Sequence, residues 1–129
     1  MIVPESHKKL LRDDIRAFAF LATVMNDGSP QVTPVWFNWD GEYLLVNSAQ
    51  GRVKDRNMRK NPNVSVAIID PREMGCYLQI RGSVVDITTE GAWEHINQLS
   101  LKYTGHPWDG SSEQVRVIYR IKPENISVG

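Results

Sequence analysis

The 129-residue chain lacks most of the features that would assign it quickly to a class. It has one cysteine, Cys76, so neither an intramolecular disulfide nor a thiolate metal cluster can form. Cys76 reads as a small buried hydrophobe in a strand, and the lack of disulfides fits a reducing, cytoplasmic compartment. There is no surplus of charge, with 15 basic side chains against 15 acidic ones. A nucleic-acid binder draws much of its affinity from phosphate neutralisation and usually carries a basic excess, so that class is disfavoured. No apolar run approaches the ~18 residues of a membrane span, and residues 1–14 are too polar for a signal peptide. A soluble protein without a membrane partner is expected. Repeats, low-complexity tracts and linkers are also missing, so a single domain over residues 1–129 is expected. Neither GxGxxG nor GxxxxGK[ST] occurs, and no glycine-rich phosphate loop is available.

What is present is strand-rich. Residues 4–12 read as one or two helical turns. Phe18–Met25 is a strand candidate, and Asn26-Asp27-Gly28-Ser29 is a hairpin signal, because Asp-Gly suits the positive φ of a tight turn. Gln31–Asn38 and Tyr43–Ser48 follow as strands around a turn at Trp39–Glu42, completing an antiparallel meander. Pro34 cannot donate to a ladder, so it marks a free edge or a bulge. A short helix at Lys54–Lys60 is stopped by Asn61-Pro62. Strands are expected at Val64–Ile69 and at Tyr77–Ile87, with a bulge at Gly82. Thr88-Thr89-Glu90 offers a hydroxyl N-cap to a helix whose stripe is Ala92, Ile96, Leu99 and Tyr103, ending at Gly105. In the last strand, Val115–Ile121, Val115, Val117, Tyr119 and Ile121 alternate with Arg116 and Arg120. The sum is mainly β: six mostly antiparallel strands with short helices, and strands at this density favour a barrel, which removes most exposed edges.

Chemistry concentrates between Asn47 and Lys60. Arg52, Lys54, Arg56, Arg59 and Lys60 place five cations in nine residues, against the single acid Asp55. On a helix, at about 100° per residue, Lys54 would diverge from the other four. If residues 52–54 are extended, Arg52 and Lys54 share a face just before a helix N-terminus, whose free N–H groups also attract anions. Arg supplies a planar fork for phosphate oxygens and Lys a point charge. Asn47 and Ser48 add hydrogen-bonding groups at the end of the preceding strand. Composition and spacing alone support a generic anion site or a solvated basic helix face.

A longer pattern narrows this. The ordered set Leu21-Ala22-Thr23, Asp27-Gly28-Ser29-Pro30-Gln31-Val32-Thr33-Pro34-Val35-Trp36, Leu45-Val46-Asn47-Ser48-Ala49, Arg52-Val53-Lys54-Asp55-Arg56-Asn57-Met58 and Asn61-Pro62-Asn63-Val64 resembles the pyridoxamine 5′-phosphate oxidase-like, FMN-binding split-barrel family. Matches continue through Asp70-Pro71, Leu78–Gly82, Glu94-His95-Ile96 and Lys102–Gly105, so the likeness spans nearly the whole chain. Within that family the chain looks most like the short, actinobacterial-type branch whose members bind the deazaflavin coenzyme F-420.

The resemblance implies a six-stranded split barrel and a homodimer with cofactor at the subunit interface. It implies that Arg52 and Lys54 hold the cofactor phosphate, and that Gln31, Thr33, Pro34 and Val35 line the tricyclic ring with Asn47 and Ser48 beside it. Asn57 would support the phosphate loop, and Tyr77 would cover the partner's ring. Trp36, Trp39, Trp93 and Trp108 are attributed to core and dimer packing. The implied activity is hydride transfer between the deazaflavin and a small unsaturated or quinone-like substrate. The alternatives are an FMN-binding relative of the oxidases and a non-catalytic carrier. No metal site and no catalytic acid or base is nominated, and His106 reads as a loop histidine of no special role. The chain lacks the C-terminal extension that binds pyridoxal substrate in the vitamin-making oxidases, which argues against vitamin B6 synthesis.

Overall fold

A computed structural model describes residues 2–129. The elements run as a 3-10 helix (Glu5–Leu11), β1 (Phe18–Val24), β2 (Pro30–Val35), β3 (Phe37–Trp39), β4 (Leu44–Ala49), α1 (Val53–Lys60), β5 (Asn63–Asp70), β6 (Glu73–Thr88), α2 (Ala92–Thr104) and β7 (Arg116–Val128). All seven strands join one sheet in the order β2-β1-β5-β6-β7-β4-β3, with every pair antiparallel.

That order forces curvature. β2 and β3 lie at opposite edges of the sheet, yet only Trp36 separates them in the chain. Consecutive Cα atoms are about 3.8 Å apart, so the two edges must come together at Trp36. The result is a curled, nearly closed sheet whose open seam is crossed by one tryptophan.

The seam also explains the one difference in strand count. The expected strand Gln31–Asn38 is divided by Trp36 into β2 and β3, which gives seven strands rather than six. Pro30 and Pro34 both sit in β2, an edge strand paired only with β1, where a missing N–H is tolerated.

Side-chain alternation fills the interior. Leu21, Phe37, Leu44, Val46, Ile68, Leu78, Ile80, Val117, Tyr119 and Ile121 belong to one buried cluster. Each fully buried aliphatic side chain contributes about 1.5–3 kcal/mol relative to exposure. The outer face of β1, β2 and β6 instead leaves Phe18, Phe20, Val32 and Tyr77 exposed.

Several local expectations shift. β6 begins at Glu73 and β7 runs on to Val128, because the two long strands pair over most of their length. Cys76 is accordingly in a strand but half-buried rather than buried. Val115 lies outside β7 and is exposed, so it does not share the inward face of Val117. The N-cap of α2 is Gly91, at φ 73°, in place of a threonine hydroxyl; Thr88 Oγ1 accepts from the Glu90 N–H one step earlier. Trp39 closes β3, and the following turn is held by Asp40, whose carboxylate accepts from the Glu42 and Tyr43 N–H groups. The bulge at Gly82 is present as a register shift between Arg81 and Gly82 against β7. A Cβ there would lie 2.2 Å from the Lys122 carbonyl oxygen, so only glycine permits the two backbones to approach this closely.

Candidate cofactor site

A cleft of about 540 Å³ opens beside the seam. One wall is apolar: Phe18, Ala19 and Phe20 from β1, Pro34 and Val35 from β2, Trp36 at the seam, and Ile96, Tyr103 and Trp108 from α2 and its following loop. Trp36 stacks on Tyr103 (centroids 5.5 Å, planes 7° apart) and meets Trp108 edge-on at 5.9 Å. The Tyr103 hydroxyl donates to the Ala17 carbonyl at 2.7 Å, which pins the ring and commits its proton. The rest of the lining is cationic, formed by Arg52, Lys54 and Arg116 with Asn47.

No carboxylate lines this cleft. Burial presses the Lys54 pKa below its ordinary value, and the charges of Arg52 and Arg116 press it further. Burial and then Arg52 act likewise on Arg116. The three cations therefore sense one another without an anion to offset them. Lys54 Nζ finds only a neutral partner, donating to Thr33 Oγ1 at 2.9 Å.

The local fold explains this convergence. Asp55, the one acid of the segment, turns inward and is almost fully buried. It accepts from the Gly51 N–H at 2.9 Å, the Tyr119 hydroxyl at 2.5 Å and Arg59 Nε at 3.0 Å. Burial raises its pKa, but those donors outweigh it and the net shift is downward. Asp55 thus fastens the β4–α1 turn to the barrel and leaves Arg52 and Lys54 facing the cleft. Helix α1 begins at Val53, one residue earlier than expected, with Arg52 as an extended N-cap (φ −66°, ψ 161°). Lys54 is consequently in the first helical turn, rather than beside Arg52 in an extended run.

The remaining expected residues separate into groups. Asn47, Pro34 and Val35 line the cleft directly, and Thr33 contacts it through Lys54. Asn57 and Gln31 lie outside the lining and belong to a relay. Asn57 Nδ2 donates to Thr23 Oγ1 at 3.0 Å, and Thr23 donates to Gln31 Oε1 at 2.7 Å, tying α1 to β1 and β2. Ser48 shares the inward face of Leu44 and Val46; its Oγ is buried with no partner among the described residues. Tyr77 is not in the cleft wall and stands on the outer sheet face in register with Ile69 and Phe18. His106 is not in the lining either, and its carbonyl accepts from Ser100 Oγ at 2.7 Å. Of the neighbouring cations, Arg59 pairs with Asp55 and Arg56 bonds the Gly51 carbonyl, so neither is free in the way Arg52 is.

Arg116 was not singled out from sequence. The signal was its place in β7 immediately before Val117, Ile118 and Tyr119, a buried stretch in which a charged side chain needs a purpose. Its Nε donates to Asn47 Oδ1 at 3.0 Å and its Nη1 to Gln114 Oε1 at 2.9 Å, while the guanidinium carbon lies 5.1 Å from the centre of the Trp108 ring. Asn47 Nδ2 in turn donates to the Ala92 carbonyl at 2.9 Å and to His95 Nδ1 at 3.1 Å. His95 Nε2 bonds Asn38 Oδ1 at 2.7 Å. Burial, and then the charge of Arg120, hold the His95 pKa down at about 4.

A family model for pyridoxamine 5′-phosphate oxidase matches residues 4–128. The chain belongs to that family. Among solved structures, one named F420 reductase is 36% identical, covers 97% of this chain and 98% of its own, and superposes with a TM-score of 0.86. A putative pyridoxamine 5′-phosphate oxidase from Listeria innocua is 26% identical over 96% of this chain and 98% of its own, at a TM-score of 0.68. HupZ from Group A Streptococcus, at 24% identity over 98% and 94% and a TM-score of 0.70, shares the fold. These relationships place the chain in the split-barrel fold and in a family of flavin- and deazaflavin-linked oxidoreductases. No helix is long and apolar enough to cross a membrane among the described residues.

Proposed function

We propose that the cleft binds a phosphate-bearing tricyclic cofactor, the deazaflavin coenzyme F-420, and that the protein is an oxidoreductase acting on a small unsaturated or quinone-like substrate. The observation that carries this reading is the convergence of Arg52, Lys54 and Arg116, without a carboxylate, in a cleft otherwise lined mostly by aromatic and apolar side chains. An anionic phosphate would relieve the repulsion among the cations, and a flat ring system would fit against Pro34, Val35 and Trp36. The 36% identity to a protein named F420 reductase favours the deazaflavin over FMN.

When bound, the cofactor supplies hydride transfer. The protein's part is positional. Arg52 and Lys54 would hold the phosphate, the β2 backbone and Trp36 would flank the ring, and the apolar lining would exclude water. No carboxylate or imidazole lines the cleft, so no side chain is assigned as catalytic acid or base. A second copy of the chain completes the site in this reading. The outer sheet face exposes Phe18, Phe20, Val32 and Tyr77 next to the cleft, an apolar surface suited to a symmetric partner. The unpaired Cys76 is compatible with a reducing, cytoplasmic setting.

The test is a fluorescence titration of coenzyme F-420 and of FMN into the wild type and into the double variant Arg52→Ala/Lys54→Ala. The double change should cost at least ~2 kcal/mol of cofactor affinity, because a hydrogen bond to a charged group contributes about 1.5–3 kcal/mol. Unchanged affinity would locate the phosphate elsewhere. Tight FMN binding with no deazaflavin binding would overturn the cofactor assignment, and tight binding without turnover of any quinone, enone or nitro acceptor would make the protein a carrier.

A further inference from the structure

We infer that Arg116 is a third anchor of the cofactor phosphate site, and that His95, which does not line the cleft, is the positioning residue that aims it through the Asn47 carboxamide. The inference rests on the cleft being an anion site, as proposed above.

Hydrogen-bond polarity runs along a chain of four side chains, Asn38, His95, Asn47 and Arg116. Asn38 Oδ1 can only accept, so His95 Nε2, 2.7 Å away, carries the proton. A neutral imidazole protonated at Nε2 presents a lone pair at Nδ1. That lone pair receives Asn47 Nδ2, which also donates to the Ala92 carbonyl at the start of α2. With both Asn47 N–H bonds spent in this direction, its Oδ1 must face the opposite way, where it accepts from Arg116 Nε at 3.0 Å. Gln114 engages Nη1, and Trp108 lies under the guanidinium plane. Nη2 alone has no partner among the described residues, and Arg116 lines the cleft beside Arg52 and Lys54. An arginine fixed on three sides with one nitrogen open is preorganised for an oxyanion, since little side-chain entropy is left to lose on binding.

The relay also accounts for two otherwise unexplained burials. His95 is desolvated next to Arg120, a poor setting for an imidazolium but a suitable one for a neutral acceptor. Arg116 is only 6% exposed and touches no carboxylate, which is costly unless a ligand anion completes its shell. Reversing the Asn47 amide would set its N–H groups against the Arg116 Nε–H donor and leave the His95 Nδ1 lone pair facing another acceptor. The donor-only Arg116 Nε–H and the His95 Nδ1 lone pair therefore hold the carboxamide in one orientation from its two ends.

The experiment is a double-mutant cycle on affinity, read by fluorescence with coenzyme F-420 or FMN, whichever the wild type binds, and by calorimetry with inorganic pyrophosphate. Arg116→Ala should weaken binding about tenfold or more, of the order expected for one charge-assisted contact. His95→Leu should weaken it several-fold in the Arg116 background and leave it unchanged in the Arg116→Ala background, because its effect passes through the guanidinium. His95→Asn, which returns an acceptor at the δ position, should recover most of the loss. If His95→Leu weakens binding equally in both backgrounds, or if His95→Asn recovers nothing, the positioning role is overturned. If Arg116→Ala has no effect while Arg52→Ala/Lys54→Ala abolishes binding, the third anchor is wrong and the phosphate site stands. If none of these changes affects binding, the phosphate site itself is wrong. Should His95→Leu fail to fold, His95→Phe, which keeps a ring but has no acceptor, takes its place in both backgrounds.

Discussion

Asp55 offers the sharpest test of how the barrel builds the cationic wall. Its carboxylate is 2% exposed and accepts from the Gly51 N–H, the Tyr119 hydroxyl and Arg59 Nε. Hydrogen bonds to a charged acceptor contribute about 1.5–3 kcal/mol each when buried. Gly51 and Tyr119 together therefore account for about 3–6 kcal/mol, while the half-exposed Arg59 adds little because solvent screens it. Asp55→Ala should lose most of that sum, because it leaves the hydroxyl of the fully buried Tyr119 without an acceptor. Against a typical domain stability of roughly 5–15 kcal/mol, that is a large fraction. Asp55→Asn keeps one acceptor oxygen and should lose about half as much; Tyr119→Phe removes one donor and should cost about 1.5 kcal/mol or more.

Urea denaturation at pH 7 measures all three variants. The pH dependence adds a second readout. Because the folded pKa of Asp55 is depressed, its stabilisation is present above the unfolded carboxyl pKa of about 3.9 and is lost as pH falls through the lower folded value. Asp55→Asn should accordingly flatten part of the acid limb below about pH 4. A cost under about 1 kcal/mol for Asp55→Ala, with an unchanged acid limb, would refute the claim that this carboxylate fastens the β4–α1 turn.

The other expectations are shorter. Gly82→Ala should destabilise the fold by about 1–3 kcal/mol in thermal denaturation, because its Cβ would lie 2.2 Å from the Lys122 carbonyl oxygen in a paired strand. Lys54 carries a lowered pKa from burial, Arg52 and Arg116, so pyrophosphate affinity should decline at a pH below that of an ordinary lysine. Arg52→Ala should move that decline to higher pH in a calorimetric series, since one repelling charge is gone. Removing the third cation with Arg116→Ala should shift the decline the same way, and no movement in either variant would mean that the cations do not share one site.

The sequence by itself determined the elements whose causes are local. Asp27-Gly28 makes its hairpin, the stripe Ala92, Ile96 and Leu99 is buried as its spacing requires, and Gly82 marks a bulge, because turn chemistry, helical period and the lack of a Cβ act within a few residues. Arg52 and Lys54 were legible as a pair only through the wider pattern; the charges alone fitted a solvated helix face equally well. The tertiary structure decided what depends on closure. That Trp36 divides one expected strand into two edges of a curled sheet is a consequence of sheet order, which no local signal encodes. Ser48 and Asn47, adjacent in sequence, point to opposite sides of β4, so one enters the barrel interior and the other the cleft. Arg116 and His95 meet at Asn47, and Asn38 meets His95, only once β3, β4, β7 and α2 pack together. Hydrogen-bond polarity then passes from residue to residue across that junction, a property of the assembled contacts rather than of any stretch of chain.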